Sequence, residues 1–243
     1  MIKIATWNLS NSVPGSPRSV RQLQCMEQQD PDIWILTEAH ESLRPGPNYC
    51  LASQSNPASE NSTGHRWVSV WVRGAVVKCL VTSDSERTAC ALVKVADGVE
   101  VLIYGAVLPW LGSSWNEYPA KDGEAFLASL AAQESDIKTL AARHPAPLVC
   151  YGGDFNQDLN HNHYYGSIAT RAALSAALTN LGLHCHTCKG NDPVLTRTTN
   201  KHANVDHICL SPRLVCNASA WPENHGMLRG LSDHFGVAVT FQA

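Results

Sequence analysis

The chain has 243 residues, 44% hydrophobic and 16% charged, with a formal net charge of −3. That is enough apolar material for one sizeable core, and large sheet domains of this length are routinely single. No global basic field draws in nucleic acid; the first residues, MIKIATWNL, are too polar and short for a secretory signal, and no apolar run reaches the length of a membrane span.

Residues 2–8 (IKIATWN) read as a strand. Ser16-Pro17 marks a helix start, with Ser as cap and Pro at the first helical position. Val20, Leu23 and Met26 give that helix an apolar side, and Asp30-Pro31 ends it. DIWILT, 32–37, is a short apolar strand with Glu38 at its end, and 44–64, rich in Pro, Ser, Asn and Gly, reads as a loop. HRWVSVWVRG, VVKCLV, TACALVKV and VEVLIYGAVL are β-branched, partly alternating strands, the last two joined by a hairpin turn at Asp97-Gly98. Residues 120–143 predict a helix with Phe126, Leu127, Leu130, Ile137 and Leu140 on one face. PLVCY is a buried strand, SIATRAALSAALTNLG a second long helix capped by Gly182, and short strands follow near 183–187, 205–210 and 236–241. Hairpins mixed with helices suit two sheets packed face to face with helices outside. With no repeat and no linker, one domain over 1–243 is expected, and a monomer is the favoured state.

The nine cysteines, an odd number, lie mostly in apolar segments and read as reduced thiols of a reducing compartment, hence a cytoplasmic location. The N-x-S/T matches at Asn8, Asn61 and Asn217 are then chance. Cys185-His186-Thr187-Cys188 lacks the second ligand pair that structural zinc needs and reads as structural or incidental cysteines.

Polar clusters recur where apolar strands end: Trp7-Asn8, Thr37-Glu38, Gly153-Asp154-Phe155-Asn156 and Val205-Asp206-His207, with Leu231-Ser232-Asp233-His234 just before the last strand. If those ends share one edge, Glu38, Asp154, Asp206 and Asp233 meet. Carboxylates so gathered repel one another and persist with a cation between them or with shared protons. Hard oxygen ligands suit Mg²⁺ or Mn²⁺ rather than Zn²⁺. His207, next in its strand to Asp206, points the other way and reads as packed.

WN, LTE, GGDFNQD, VDHI and LSDH, in this order over nearly the whole chain, resemble the endonuclease/exonuclease/phosphatase superfamily. The resemblance implies a four-layer α/β/β/α sandwich and divalent-metal-dependent hydrolysis of a phosphoester, nucleic acid being one such substrate. It implies Glu38 as principal metal ligand, with Asn8 beside it and Asp233 completing the metal side. Asp154 would orient or deprotonate the attacking water, and Asn156 would hold that water or a phosphate oxygen. His234 would donate to the phosphate, steadied by Asp206. Asp154 and Asn156, two apart, are expected to reach one phosphate because alternate strand residues point the same way. The chain departs from the family at Val107, where relatives carry a Tyr or His, and at Ser10, where some carry a metal-side Asp. His161 and His163 could supply a donor from another direction. Trp110 and Trp115 read as a stacking platform or as loop packing, and Arg171 as a phosphate clamp or a surface charge. A phosphodiester is the leading substrate. The alternatives are a lipid or inositol phosphomonoester, a non-catalytic phosphate-binding module, and a zinc protein, against which the strand-end ligand types speak.

Overall fold

The computed structural model describes residues 1–58, 63–95, 98–146, 148–160, 165–197, 204–211 and 216–242. The elements in chain order are β1 (Ile2–Asn8), α1 (Pro17–Gln29), β2 (Ile33–His40), β3 (Cys50–Gln54), β4 (His65–Val72), β5 (Ala75–Leu80), β6 (Thr88–Lys94), β7 (Glu100–Val107), α2 (Glu124–Arg143), β8 (Leu148–Asp154), α3 (Ile168–Asn180), β9 (His184–Cys185), β10 (Asp206–Leu210), β11 (Cys216–Trp221), α4 (His225–Leu228) and β12 (Gly236–Phe241). They build two six-stranded mixed sheets, ordered β11-β12-β1-β2-β4-β3 and β5-β6-β7-β8-β10-β9.

Alternation decides which side of each strand enters which layer. Ile2, Ile4, Ile33, Ile35, Val68 and Val70 from the first sheet meet Ala91, Val93, Ile103, Cys150 and Ile208 from the second, in a central core between the sheets. The opposite faces carry the helices: Trp7, Trp34 and Leu36 pack on Met26 of α1, while Tyr104, Tyr151 and Cys209 pack on Phe126, Leu130 and Leu174 of α2 and α3. The result is the expected four-layer sandwich. Two glycines of the YGGD stretch have separate reasons to be there. A Cβ on Gly152 would stand 3.0 Å from Ile35 of the facing sheet. Gly153 has φ +132, and a Cβ there would stand 2.1 Å from the Ala106 carbonyl of the neighbouring strand.

The helix ends follow the chain's local chemistry. Ser16 caps α1 through Ser19 N, and Asp30, left-handed at φ 41, closes it. Ser167 forms a reciprocal capping box with Thr170 at the start of α3, and Gly182 takes φ +65 just beyond its end. α2 begins at Glu124 rather than 120, because Asp122 and Gly123 are both left-handed, at φ 52 and 78. Two edge strands contradict the sequence expectation. β3 lies inside 44–64, and β11 pairs along β12 where no strand was expected. The strand expected at 183–187 shrinks to His184–Cys185. Gly98 lies between β6 and β7 at φ +76 as a hairpin needs; Asp97 is outside the described residues. Among those residues no helix is long and apolar enough to cross a membrane. All nine cysteines are free thiols.

Candidate active site

Pairing register brings the polar clusters to one edge of the sandwich. β1 and β2 run parallel with Asn8 opposite Thr37, so Asn8 and Glu38 emerge together. Asp154, the last residue of β8, is the register partner of Asp206, the first of β10. Asp206 therefore starts its strand instead of ending one, and antiparallel pairing still delivers it to the same edge. β12 runs antiparallel to β1, with Val237 opposite Thr6, which sets Asp233 and His234 beside the end of β1.

The side chains are bonded across the two sheets. Asn8 Nδ2 donates to Glu38 Oε1 at 3.0 Å and to Asp154 Oδ2 at 3.1 Å. Glu38, between the pairs Thr37–Val68 and Ala39–Arg66, holds φ 47, a conformation uncommon for Glu and a sign of local constraint. Asn11 secures it: its backbone N–H donates to the Glu38 carbonyl at 3.0 Å, and its Nδ2 to Oε2 at 2.8 Å. His234 Nδ1 and Asp206 Oδ2 are 2.6 Å apart. Ligand atoms of Asp154, Asp206 and His234 all lie within 4.8 Å of one another.

Asn156 reaches the site by a different route from strand alternation. β8 ends at Asp154, and Asn156 is left-handed, at φ 47. Its backbone N–H donates to Asp154 Oδ1 at 2.9 Å, and its Nδ2 to the Leu108 carbonyl at 3.0 Å and to Asp154 Oδ2 at 3.3 Å. An Asx turn, formed by the Asp154 carboxylate and the Asn156 N–H, thus puts both side chains on one side.

Burial raises the proton affinity of the carboxylates. It pushes Asp154 up to about 6, with His234 opposing and Asp206 adding to the rise. Glu38 and Asp206 are raised for the same first reason. Burial alone would lower His234, but the charges of Asp206 and Asp154 outweigh it and lift the imidazole to about 10. The proton shared by Asp206 and His234 therefore stays on the ring, which faces several carboxylates.

A cavity of about 310 Å³ opens beside these groups, and its lining includes Asn156, Asp206, Asp233 and His234 together with the apolar Val194, Val205 and Phe235.

No family model matches the chain, and no curated protein matches it in sequence. Solved structures match over its whole length. The 3'-5' exonuclease (NExo) from Neisseria meningitidis superposes with a TM-score of 0.69 at 18% identity, covering 100% of both chains. An endonuclease/exonuclease/phosphatase family protein from Bacteroides thetaiotaomicron gives 0.66 at 14% identity, over 98% of this chain and 96% of that one. Truncated Caenorhabditis elegans TDP2 gives 0.65 at 17% identity, over 100% and 97%. The chain has the endonuclease/exonuclease/phosphatase fold.

Within that fold the remaining sequence candidates divide. Val107, the last residue of β7, is buried in the core between the sheets and offers nothing polar to the site. His161 and His163 lie outside the described residues. Arg171 Nε donates to the Asp158 carbonyl at 2.6 Å, a backbone contact that ties α3 to the loop after β8. His207 is fully buried, its Nε2 2.9 Å from the Gln157 carbonyl and its Nδ1 3.3 Å from Thr187 Oγ1. Cys185 and Cys188 are buried, and among the described residues only Asp154, Asp206 and His234 group as potential metal ligands.

The sequence did not single out Arg87. It precedes β6, and its carbonyl accepts the Val107 N–H at 2.9 Å, which sets it beside the β7 end of the site. Its guanidinium lies 4.7 Å from the centre of the Trp67 ring and 5.7 Å from that of Trp110, two rings that are themselves tilted at 6.2 Å from each other, so it makes cation–π contact with both. Nη2 donates to Ser113 Oγ at 3.1 Å, while Nη1 is buried without a partner among the described residues. Burial lowers its proton affinity, opposed by the charges of Glu86 and Asp84 first and of Asp154 and Glu38 after them. Trp110 is 37% exposed above it.

Proposed function

We propose that the protein is a divalent-metal-dependent phosphodiesterase that directs water at a phosphorus bound on this edge. The observation that carries the reading is the junction of Asp154, Asp206 and His234 from both sheets within 4.8 Å, with Asn8 bonding Asp154 to Glu38.

The residues fit a hard divalent cation. Burial and mutual repulsion raise Glu38, Asp154 and Asp206 together, and Asp206 Oδ1 is buried with no partner among the described residues. A positive charge relieves both conditions. By resemblance to the superfamily Glu38, Asn8 and Asp233 would hold Mg²⁺ or Mn²⁺, the unpartnered Asp206 Oδ1 being a further candidate ligand, and the ion when bound would neutralise phosphate oxygens and help align the reactants.

Asp154, with a pKa near 6, is suited to accept a proton from the attacking water near neutral pH. Asn156 and Asn8 fix the carboxylate through the bonds above, so it does not reorient during the step. The protonated His234 ring, held at Nδ1 by Asp206, would donate from Nε2 to a phosphate oxygen as charge builds. Arg87 adds a second fixed cation, which from its buried position would act on a bound phosphate through its charge. Trp110 is suited to cover a ring of the substrate.

The lining of the site favours a diester. The cavity of about 310 Å³, apolar along Val194, Val205 and Phe235, suits an uncharged substituent flanking that phosphate. The relation in fold to a 3'-5' exonuclease supports nucleic acid as one such diester. The test compares bis(p-nitrophenyl) phosphate, p-nitrophenyl phosphate and a labelled oligonucleotide with Mg²⁺, Mn²⁺ or EDTA. Preference for the diesters, lost in EDTA, is expected; preference for the monoester overturns the substrate class.

A further inference from the structure

The helix α1 packs on the outer face of the first sheet and contributes no side chain to the site, yet it buries a glutamine completely. Gln22 is 0% exposed, and the two residues whose carbonyls it reaches, Leu9 and Leu231, belong to the apolar cluster that also holds Trp7 and Met26. An amide placed there costs stability unless its hydrogen bonds are met. Its Nε2 is met twice: it donates to the Leu9 carbonyl at 3.1 Å and to the Leu231 carbonyl at 2.6 Å. Leu9 directly follows Asn8, and Leu231 stands three residues before His234. Gln22 Oε1 has no partner among the described residues, so the donor end is what this position uses.

We infer that Gln22 is a positioning residue, a clamp from α1 that sets the Asn8 turn and the Asp233–His234 loop in register behind the site. Other bonds at this seam carry the register forward. Ser232 Oγ donates to the Asn8 carbonyl at 2.7 Å and accepts from the His234 N–H at 3.1 Å. Trp7 Nε1 donates to the His234 carbonyl at 3.0 Å. Ser12 already closes the first turn locally, through its N–H and hydroxyl to the same Leu9 carbonyl. What Gln22 adds is the link across to Leu231. Without it the two loops, far apart in sequence, lose the buried side chain that bonds both of them at once, leaving Arg18 and Arg21 to hold them separately, and Asn8 and His234 drift relative to each other. The inference rests on the proposed metal-dependent hydrolysis, because these loops carry its proposed metal side and its proton donor.

The test is Gln22→Met, which keeps length and volume and removes both donors. Three readouts are taken: the melting temperature, Mn²⁺ affinity of the metal-free protein by electron paramagnetic resonance, and kcat with KM on bis(p-nitrophenyl) phosphate. A misplacement of about 1 Å at reacting groups costs on the order of 10²-fold, so kcat should fall roughly 10–100-fold with KM little changed. Mn²⁺ affinity should weaken severalfold, a readout that needs no turnover. Arg21→Ala serves as control. Arg21 bonds the Gly230 carbonyl at 2.8 Å from the exposed side, and its loss should leave kcat and Mn²⁺ affinity unchanged. A folded Gln22→Met protein with wild-type kcat and Mn²⁺ affinity overturns the inference, even if its melting temperature falls. Should Gln22→Met not melt cooperatively, Gln22→Glu decides the matter, since neither of its protonation states offers two donors; wild-type values there overturn it equally. Absence of Mn²⁺ binding and turnover in the wild-type chain removes the parent reading, an outcome distinct from a clamp that does nothing.

Discussion

Replacing Asp206 by Asn tests the pairing at the centre of the site. The 2.6 Å contact joins a buried carboxylate to His234 Nδ1, and the imidazole is lifted to about 10 in large part by that charge. At pH 7.5 the wild-type ring is essentially all protonated. If it fell back to its ordinary value of about 6.5, only about a tenth would carry the proton. Protonation alone then lowers kcat about tenfold, and a misoriented ring lowers it further. His234→Ala removes the donor outright, and losing one preorganised donor to developing charge costs roughly 10²–10³ in kcat, about 2.7–4 kcal/mol. Because both changes act through one ring, the double variant should match His234→Ala alone rather than the product of the two losses. The assay is kcat on a model diester at saturating Mn²⁺ from pH 5.5 to 9. Asp206→Asn should recover activity as pH falls from 9 toward 6.5 and the ring regains its proton, until protonation of Asp154 near 6 ends the gain. A multiplicative double variant, or an Asp206→Asn profile that overlays the wild type, refutes the pairing.

Glu38→Gln should weaken Mn²⁺ binding, and excess metal should restore part of the lost turnover; unchanged affinity in a titration would place the cation elsewhere. Arg87→Lys keeps the charge but loses the planar contact with Trp67 and Trp110, so KM for a diester should rise about 3–10-fold; an unchanged KM would show that this packing does not shape substrate binding. The metal-free protein should lose stability as pH rises. Asp154, raised from 3.8 to about 6, and His234, raised from 6.5 to about 10, both hold their protons more tightly when folded. The stability each contributes is full below its unfolded pKa and lost as pH rises through the folded one. Melting temperature in EDTA should therefore fall between about pH 4 and 6 and again between about 6.5 and 10, and His234→Ala should abolish the second fall.

Much of the fold was legible because most strands are buried on one or both faces and say so in sequence. IWILT and TACALVK are buried almost throughout. The strands missed, Cys50–Gln54 and Cys216–Trp221, are edges with partly exposed residues and mixed polarity, and their pairing comes from neighbours the sequence does not reveal. The ordered motifs pointed to the side chains that register brings together at one edge. The conformation that delivers Asn156 was not legible, because a left-handed turn bonded to Asp154 and Leu108 looks in sequence like strand continuation. Arg87 was invisible for another reason: a charge ahead of a strand is ordinarily solvated, and its burial depends on Trp67 and Trp110 from two other elements. Gln22 reads as a surface residue of an amphipathic helix until the two carbonyls it reaches are known.

The central claim is that this edge hydrolyses phosphodiesters with a divalent cation. The most direct measurement is turnover of bis(p-nitrophenyl) phosphate by the purified protein in EDTA, then after adding Mg²⁺ or Mn²⁺, with Asp154→Ala prepared in parallel. The account predicts no turnover in EDTA, recovery with either metal, and none from Asp154→Ala under any condition. Full turnover in EDTA, or equal turnover by Asp154→Ala, would contradict it.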